Sequence, residues 1–245
     1  MRKAFHGAVI AWAVLAFHVP QAWLLVFLLF PKTGNGGWGD AAVNALLMTA
    51  WGGVHSLMAR DFAQKAMARL VGRDFVKVLY VTVAGLTQCA LLALWRPLAG
   101  GVWEVRGLGW WVLAGLFLAA AGAVFVSSLL LDYMEALGAR AVLRRMRGEA
   151  RRDMPLSVRG PYAYCRHPVY LFTILLLWTG PVMNLTRLEF AFLGTVYILV
   201  GMFLEDRDTV RSMGPEYETY RKNVPMLIPR LTPWRPPATG KGGAG

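Results

Sequence analysis

Charge and cysteine are both scarce in this chain. Only 16% of its 245 residues are charged, 14 residues are acidic, and 56% are hydrophobic, giving a mean hydropathy of +0.44. Soluble domains carry about 25% charged residues. A water-soluble globular fold is therefore excluded, and a multi-spanning membrane protein is expected. The two cysteines, Cys89 inside an apolar run and Cys165 beside a turn motif, exclude a disulfide framework, and no metal site is expected. Helix-turn-helix, RNP and zinc-finger signatures are missing too. The net charge of +12 is thus read as membrane topology and attraction to anionic headgroups, with membrane lipids as partners and no nucleic acid. No small-residue cleavage site follows the first apolar run before Phe30-Pro31-Lys32, so that run is expected to stay as a span.

What the chain has instead is six apolar runs, at 8–30, 41–59, 76–95, 108–131, 169–183 and 188–204. Most approach the roughly 20 residues that a spanning helix needs. The expected fold class is all-α, a polytopic membrane protein with about five to six transmembrane helices. The fifth run is short and contains Pro181, and it is expected to form a tight hairpin with the sixth. With these spans, 22 of the 26 Lys and Arg residues fall on one side, and only Lys32, Arg96, Arg106 and Arg187 fall on the other. The positive-inside rule then puts both termini in the cytoplasm. Segments 60–77 and 136–152 read as basic interfacial helices on that side. Residues 205–221 read as a polar helix continuing from the sixth span, broken near Gly214-Pro215. Residues 1–235 are expected to form one membrane domain, with a disordered Pro/Gly-rich tail at 236–245.

The densest chemistry lies at Gly160, Pro161, Tyr162, Cys165, Arg166, His167, Pro168 and Tyr170, directly before the fifth apolar run. Pro161 and Pro168 each fix a φ angle and restrict the preceding residue, so Arg166 and His167 are expected to leave a rigid turn. Under the topology above, this turn shares a membrane face with His55, Ser56 and Arg60, with Glu205, and with the segment from Tyr217 and Tyr220 through Pro225 to Pro229. Ionisable groups at membrane depth are costly and mark function by default. Each residue also has a plainer role. Arginines at span ends snorkel to phosphates, a lone histidine in an apolar helix is commonly a packing residue, Glu205 can pair at the surface with Arg207 or Arg221, and the tyrosines can belong to an aromatic belt. Convergence of all of them on one face argues for a site.

These residues carry a resemblance. The pattern Gly160, Tyr162, Arg166, His167, Pro168, Tyr170, then an acidic pair, then Gly214, Tyr217, Tyr220, Val224, Pro225, Pro229 resembles the integral-membrane methyltransferases related to isoprenylcysteine carboxyl methyltransferase and phospholipid N-methyltransferase. It covers about the C-terminal third, 155–230, and its spacing departs by one residue because Gly160 precedes Pro161. His55-Ser56-Leu57-Met58-Ala59-Arg60, Trp95-Arg96-Pro97-Leu98 and Leu204-Glu205-Asp206-Arg207-Asp208 extend it toward the branch of bacterial methanethiol S-methyltransferases and NnrU-like proteins. The basic residue that the isoprenylcysteine enzymes place about one turn before the acidic pair is missing, since Gly201 and Met202 stand there.

The resemblance implies a protein of the bacterial inner membrane that binds S-adenosylmethionine from the cytosol. Tyr162, Arg166, His167, Tyr170, Glu205, Tyr217, Tyr220 and Pro225 would surround this methyl donor, with Arg166 suited to its carboxylate and Glu205 to its ammonium. Methyl transfer is an in-line displacement, so alignment and exclusion of water are the protein's main contributions. The branch implies a small thiol acceptor, methanethiol going to dimethyl sulfide. Such a thiol must lose a proton, because a free thiol is mostly protonated at neutral pH. His55 is the expected base or thiolate stabiliser, Glu205 the second candidate, and a Cys165 methyl relay a weaker idea. A lipid, amine or isoprenylcysteine methyltransferase is the alternative enzyme, and a non-catalytic NnrU-like protein the alternative from another class.

Overall fold

A computed structural model describes residues 2–150 and 156–236. The tail expected to be disordered lies, from residue 237 onward, outside the described residues. The chain runs α1 (Arg2–Leu29), α2 (Trp38–Met58), α3 (Asp61–Val71), α4 (Val76–Leu94), β1 (Gly101–Glu104), α5 (Leu108–Leu129), α6 (Tyr133–Ala136), α7 (Ala139–Arg147), α8 (Pro168–Trp178), β2 (Val182–Asn184), α9 (Leu185–Met213) and α10 (Pro215–Asn223). Every apolar run of the sequence thus holds a helix. This is an all-α polytopic membrane fold, to which β1 and β2 add one short antiparallel pair. Four helical stretches, Ala4–Leu29, Arg73–Leu94, Leu108–Leu129 and Leu185–Met213, are long and apolar enough to cross a membrane.

The apolar helices share one core, because each buries residues against the others. Phe27 and Leu28 of α1, Met48 of α2, Leu91 and Leu92 of α4, Phe117 of α5, Leu176 of α8 and Phe190 of α9 meet there. Outward faces stay apolar: Val19, Trp111, Leu118, Phe192 and Val200 are each more than half exposed. In water such a belt would be a liability, and against lipid it is the ordinary surface. A close helix approach is made at Gly85 of α4, where a Cβ would lie 2.1 Å from the carbonyl oxygen of Ala16. That carbonyl is four residues before Pro20, whose ring nitrogen has no N–H to offer it.

The fifth run is shorter as a helix than its apolar length of 169–183 suggested. α8 has eleven residues, rising only about 16 Å, and Thr179, Gly180 and Pro181 turn the chain into β2. Ending a helix among apolar side chains strands carbonyl groups. Arg187, fully buried, meets this need: its guanidinium donates to the carbonyl oxygens of Val182 (3.0 Å), Leu177 (3.2 Å), Leu176 (3.4 Å) and Thr179. Lys32 plays the same part for α4, donating to the carbonyls of Leu92, Ala93 and Trp95 at 2.8–3.1 Å. Two of the four cations on the sparsely charged side are therefore internal caps. Gly180 is required for the Arg187 cap, since its φ of +143° disfavours a side chain and a Cβ would come within 2.1 Å of Nη1. Gly180→Ala is expected to lower stability by about 1–3 kcal/mol, read as a reduced melting temperature in detergent.

At the charged end, the expected basic helices are present but shorter than their segments. α3 covers 61–71 of segment 60–77, and α7 covers 139–147 of segment 136–152, whose last two residues lie outside the described residues. Buried Glu135 joins α6 to α4 and α7 by accepting from Lys77 at 3.0 Å and from Arg144. The polar extension of the sixth run breaks as the sequence suggests: α9 ends at Met213, Gly214 takes φ +63°, and Pro215 opens α10.

Candidate active site

The turn is built by its prolines and then fastened to the C-terminal segment. Pro161 starts a one-turn 3-10 helix over Gly160–Ala163, and Pro168 starts α8. Between them the backbone N–H groups of Arg166 and His167 donate to the carbonyls of Pro225 (2.9 Å) and Met226 (3.1 Å). Returning bonds run from Arg230 N to Tyr164 O (3.0 Å) and from Trp234 N to Ala163 O (2.8 Å). The segment after α10 is thereby laced along the turn.

Beneath this lacing lies a buried ionic hub centred on Asp206. Arg166 donates from Nε to Asp206 Oδ1 at 2.9 Å, Tyr217 donates its hydroxyl to the same oxygen at 2.6 Å, and Arg221 Nε approaches Oδ2 at 3.3 Å. Arg166 also donates to the carbonyls of Arg221 (3.0 Å) and Val224 (2.6 Å). Its side chain is only 6% exposed, and that of Asp206 only 2%. Arg166 therefore does not reach out to phosphates. Its guanidinium ties α9, α10 and the following segment together, and the cation expected beside a donor carboxylate is already engaged by protein partners. Tyr162, Tyr217 and Tyr220 are likewise buried with their hydroxyls committed, Tyr162 to Ser127 O at 3.2 Å and Tyr220 to Tyr162 O at 2.6 Å. Burial holds all three hydroxyls above the ordinary tyrosine range.

Glu205 points elsewhere. It is exposed and accepts the hydroxyl of Tyr170, over which His167 stacks with ring centroids 5.5 Å apart. His167 is buried, and its Nε2 has no hydrogen-bond partner; the nearest acceptor, Asp206 Oδ1, is 3.5 Å away. Desolvation lowers its pKa below the usual histidine value against the pull of Glu205 and Asp206, so the ring is neutral at pH 7. Pro225, whose carbonyl receives Arg166 N–H, is exposed beside them. Cys165 is buried and its thiol is pushed up to about 11 by desolvation. It is a thiol at neutral pH, which removes the reactivity a methyl relay needs. Cys165→Ala is expected to keep activity within about twofold, and alkylation of the folded protein at pH 8 is expected to be slow.

His55 sits in an aromatic cluster between α2, α4 and α9. Tyr80 Oη lies 2.8 Å from its Nε2, Trp51 stacks on it at 5.5 Å, and Tyr197 packs against Trp51 at 5.2 Å. Ser56 shares a hydrogen bond of 3.2 Å with the Tyr197 hydroxyl. Glu205 and Tyr197 lie within electrostatic range of Tyr80, and Tyr80 and Tyr197 within range of Tyr170. The two catalytic candidates therefore belong to one neighbourhood. Arg60, placed on the same face by sequence, pairs with Asp208 at 2.9 Å. Sequence reasoning missed Asp206, Tyr80 and Tyr197. Asp206 was visible as half of the acidic pair, whereas nothing local marks the two tyrosines. A separate polar groove of about 400 Å³ lies between α3 and α7, lined by Lys65, Arg73, Lys77, Glu135 and Arg145, away from these candidates.

A polytopic membrane protein with a polar, aromatic-walled candidate site is thus described. Comparison with known proteins places it further. The chain is 33% identical over 232 residues (91% of this chain, 80% of the relative) to methanethiol S-methyltransferase 1 of Bradyrhizobium diazoefficiens. It is 32% identical over 207 residues (82% and 79%) to the methanethiol S-methyltransferase of Pseudomonas deceptionensis. Similarity reaches human Nurim, at 30% over 174 residues (66% and 65%). The chain belongs to the methanethiol S-methyltransferase family and is a membrane methyltransferase. No family model matches it, and no solved structure matches it.

Proposed function

We propose that the protein transfers a methyl group from S-adenosylmethionine to methanethiol, forming dimethyl sulfide, at the cytoplasmic face of the bacterial inner membrane with both termini in the cytosol. The observation that carries this reading is that Glu205, paired with Tyr170, lies within electrostatic range of Tyr80, which contacts His55. Glu205 offers a carboxylate oxygen to the donor's ammonium, and the unpartnered Nε2 of His167 awaits a polar group. Arg166, Tyr162, Tyr217 and Tyr220 serve in this reading as the frame that holds His167, Tyr170, Glu205 and Pro225 in place. The donor, when bound, supplies an electrophilic methyl on a sulfonium. The chain's residues orient it, exclude water, and take the thiol proton.

A thiolate meeting a sulfonium annihilates charge, so apolar walls such as Trp51 and Tyr197 favour the transition state over the separated ions. No cation stands within a turn before Glu205, and Met202 there is buried. A carboxylate acceptor would lack its counter-charge, which weighs against carboxyl methylation. Purified protein with labelled donor and a panel of methanethiol, longer thiols, phospholipids and prenylcysteines tests the reading. Label is expected in a volatile sulfide; label in lipid or prenylcysteine alone would overturn the thiol assignment.

A further inference from the structure

Two histidines in this chain make the same contact with a tyrosine, and the difference between them is informative. His18 Nε2 lies 2.8 Å from Tyr133 Oη, as His55 Nε2 lies 2.8 Å from Tyr80 Oη. His18 Nδ1, however, also lies 2.8 Å from the carbonyl oxygen of Val14. A carbonyl only accepts, so that nitrogen must carry the proton and Nε2 must accept from Tyr133. Both nitrogens of His18 are committed. Among the described residues, Nδ1 of His55 has no hydrogen-bond partner other than the same Tyr80 hydroxyl, at 3.3 Å. One nitrogen of His55 is thus left to a ligand, and the ring is oriented by a hydroxyl that can both donate and accept.

The surroundings are built for a small apolar acceptor. Gly52 lets the Tyr197 ring lie against α2, where a Cβ would come within 2.8 Å of it. The indole Nε1 of Trp51, stacked on His55, is buried with no hydrogen-bond partner. A buried donor without a partner calls for one, and the sulfur of a thiol is a weak acceptor. The titratable groups that meet His55 are Tyr80 of α4 and Tyr197 of α9, and Tyr80 in turn lies within electrostatic range of Glu205 of α9 and Tyr170 of α8.

Building on the proposed thiol methylation, we propose that Tyr80 is the positioning residue that makes His55 the base of the acceptor site, with Trp51 and Tyr197 as its walls. Tyr80 accepts from Nε2–H and so leaves the Nδ1 lone pair for the substrate. The thiol S–H bond breaks and its proton goes to Nδ1. The sulfur electron pair forms a bond to the methyl carbon of the sulfonium donor as the carbon–sulfonium bond breaks. Methyl sulfide and the demethylated, neutral donor leave, and the imidazolium returns its proton to solvent.

The test is Tyr80→Phe in the full chain, assayed with methanethiol and labelled donor from pH 6 to 9, beside Tyr133→Phe as the matched control on His18. Turnover of Tyr80→Phe is expected to fall roughly 10–100-fold at pH 6.5, less than loss of the base itself, and to recover toward pH 9, where solution supplies thiolate. Donor affinity should stay within about twofold, and Tyr133→Phe should show no pH-dependent loss. Wild-type turnover at every pH, or a loss independent of pH and equal to that of Tyr133→Phe, overturns the role of Tyr80 while leaving the function standing. Wild-type protein that binds donor but methylates no thiol would instead overturn the function on which this rests. Nitrogen NMR of the His55 ring in the wild-type protein gives an independent reading, since a protonated Nδ1 in the resting state contradicts the assignment even if the variant fails to fold.

Discussion

Asp206→Ala is expected to destabilise the protein by about 3–5 kcal/mol, the usual cost of removing one partner from a buried ion pair. The carboxylate is 2% exposed and receives Arg166, Tyr217 and Arg221, so its loss leaves a guanidinium uncompensated at a side-chain exposure of 6%. Because Arg166 also holds the carbonyls of Arg221 and Val224, the effect should spread to α10 and the segment laced onto the turn. A lower melting temperature in detergent and weakened donor binding by calorimetry should appear together. The paired replacement Arg166→Met with Asp206→Leu should recover much of the stability, since a desolvated ion pair contributes little net against apolar groups of similar volume. It should not recover donor binding if the hub also sets the backbone of His167. Arg145→Ala, which removes an exposed pair with Asp74, is the control and should cost no more than about 1 kcal/mol. Equal losses for Asp206→Ala and Arg145→Ala would mean that the hub is only another surface pair.

The second large effect concerns chemistry. His55→Ala is expected to reduce turnover by about 10²–10⁴-fold while leaving donor affinity nearly unchanged, the span typical of general acid–base catalysis. The structural contribution of the His55–Tyr80 contact cannot mimic this, because a hydrogen bond between membrane helices averages about 0.6 kcal/mol, close to threefold in an equilibrium constant. Part of the loss should return as the pH rises from 6 to 9 and more substrate is present as thiolate. If His55 only packs, activity should instead follow the folded fraction at every pH. Retention of the wild-type rate would leave Glu205 as the remaining candidate for the base.

The local patterns of this chain were legible in its sequence. Six apolar runs each hold a helix, because apolar length and the absence of interior charge are properties of neighbouring residues. The break at Gly214-Pro215 was readable for a similar reason, since a positive φ and a missing N–H are written in the residue types. The order of Arg166, His167, Tyr170, Glu205, Tyr217, Tyr220 and Pro225 carried the family, and the comparisons agree.

Partnership was decided only in three dimensions. Glu205 and Asp206 are neighbours in the chain, but successive residues on a helix point about 100° apart. One faces Tyr170 and the open side of the site, and the other is sealed under Arg166 and Tyr217. Arg166 was expected at a ligand, and its bonds to Asp206 and to the carbonyls of Arg221 and Val224 could be read only from the fold. The length of α8 was equally hidden, because an apolar run shows where a helix is tolerated, and its early end depends on Arg187 reaching back from α9 to stranded carbonyls. Tyr80 and Tyr197 carry no local signal at all. Their hydroxyls reach His55 and Ser56 only because α4 and α9 pack beside α2, and a side chain's partner across helices is fixed by packing, which the period of one helix does not encode.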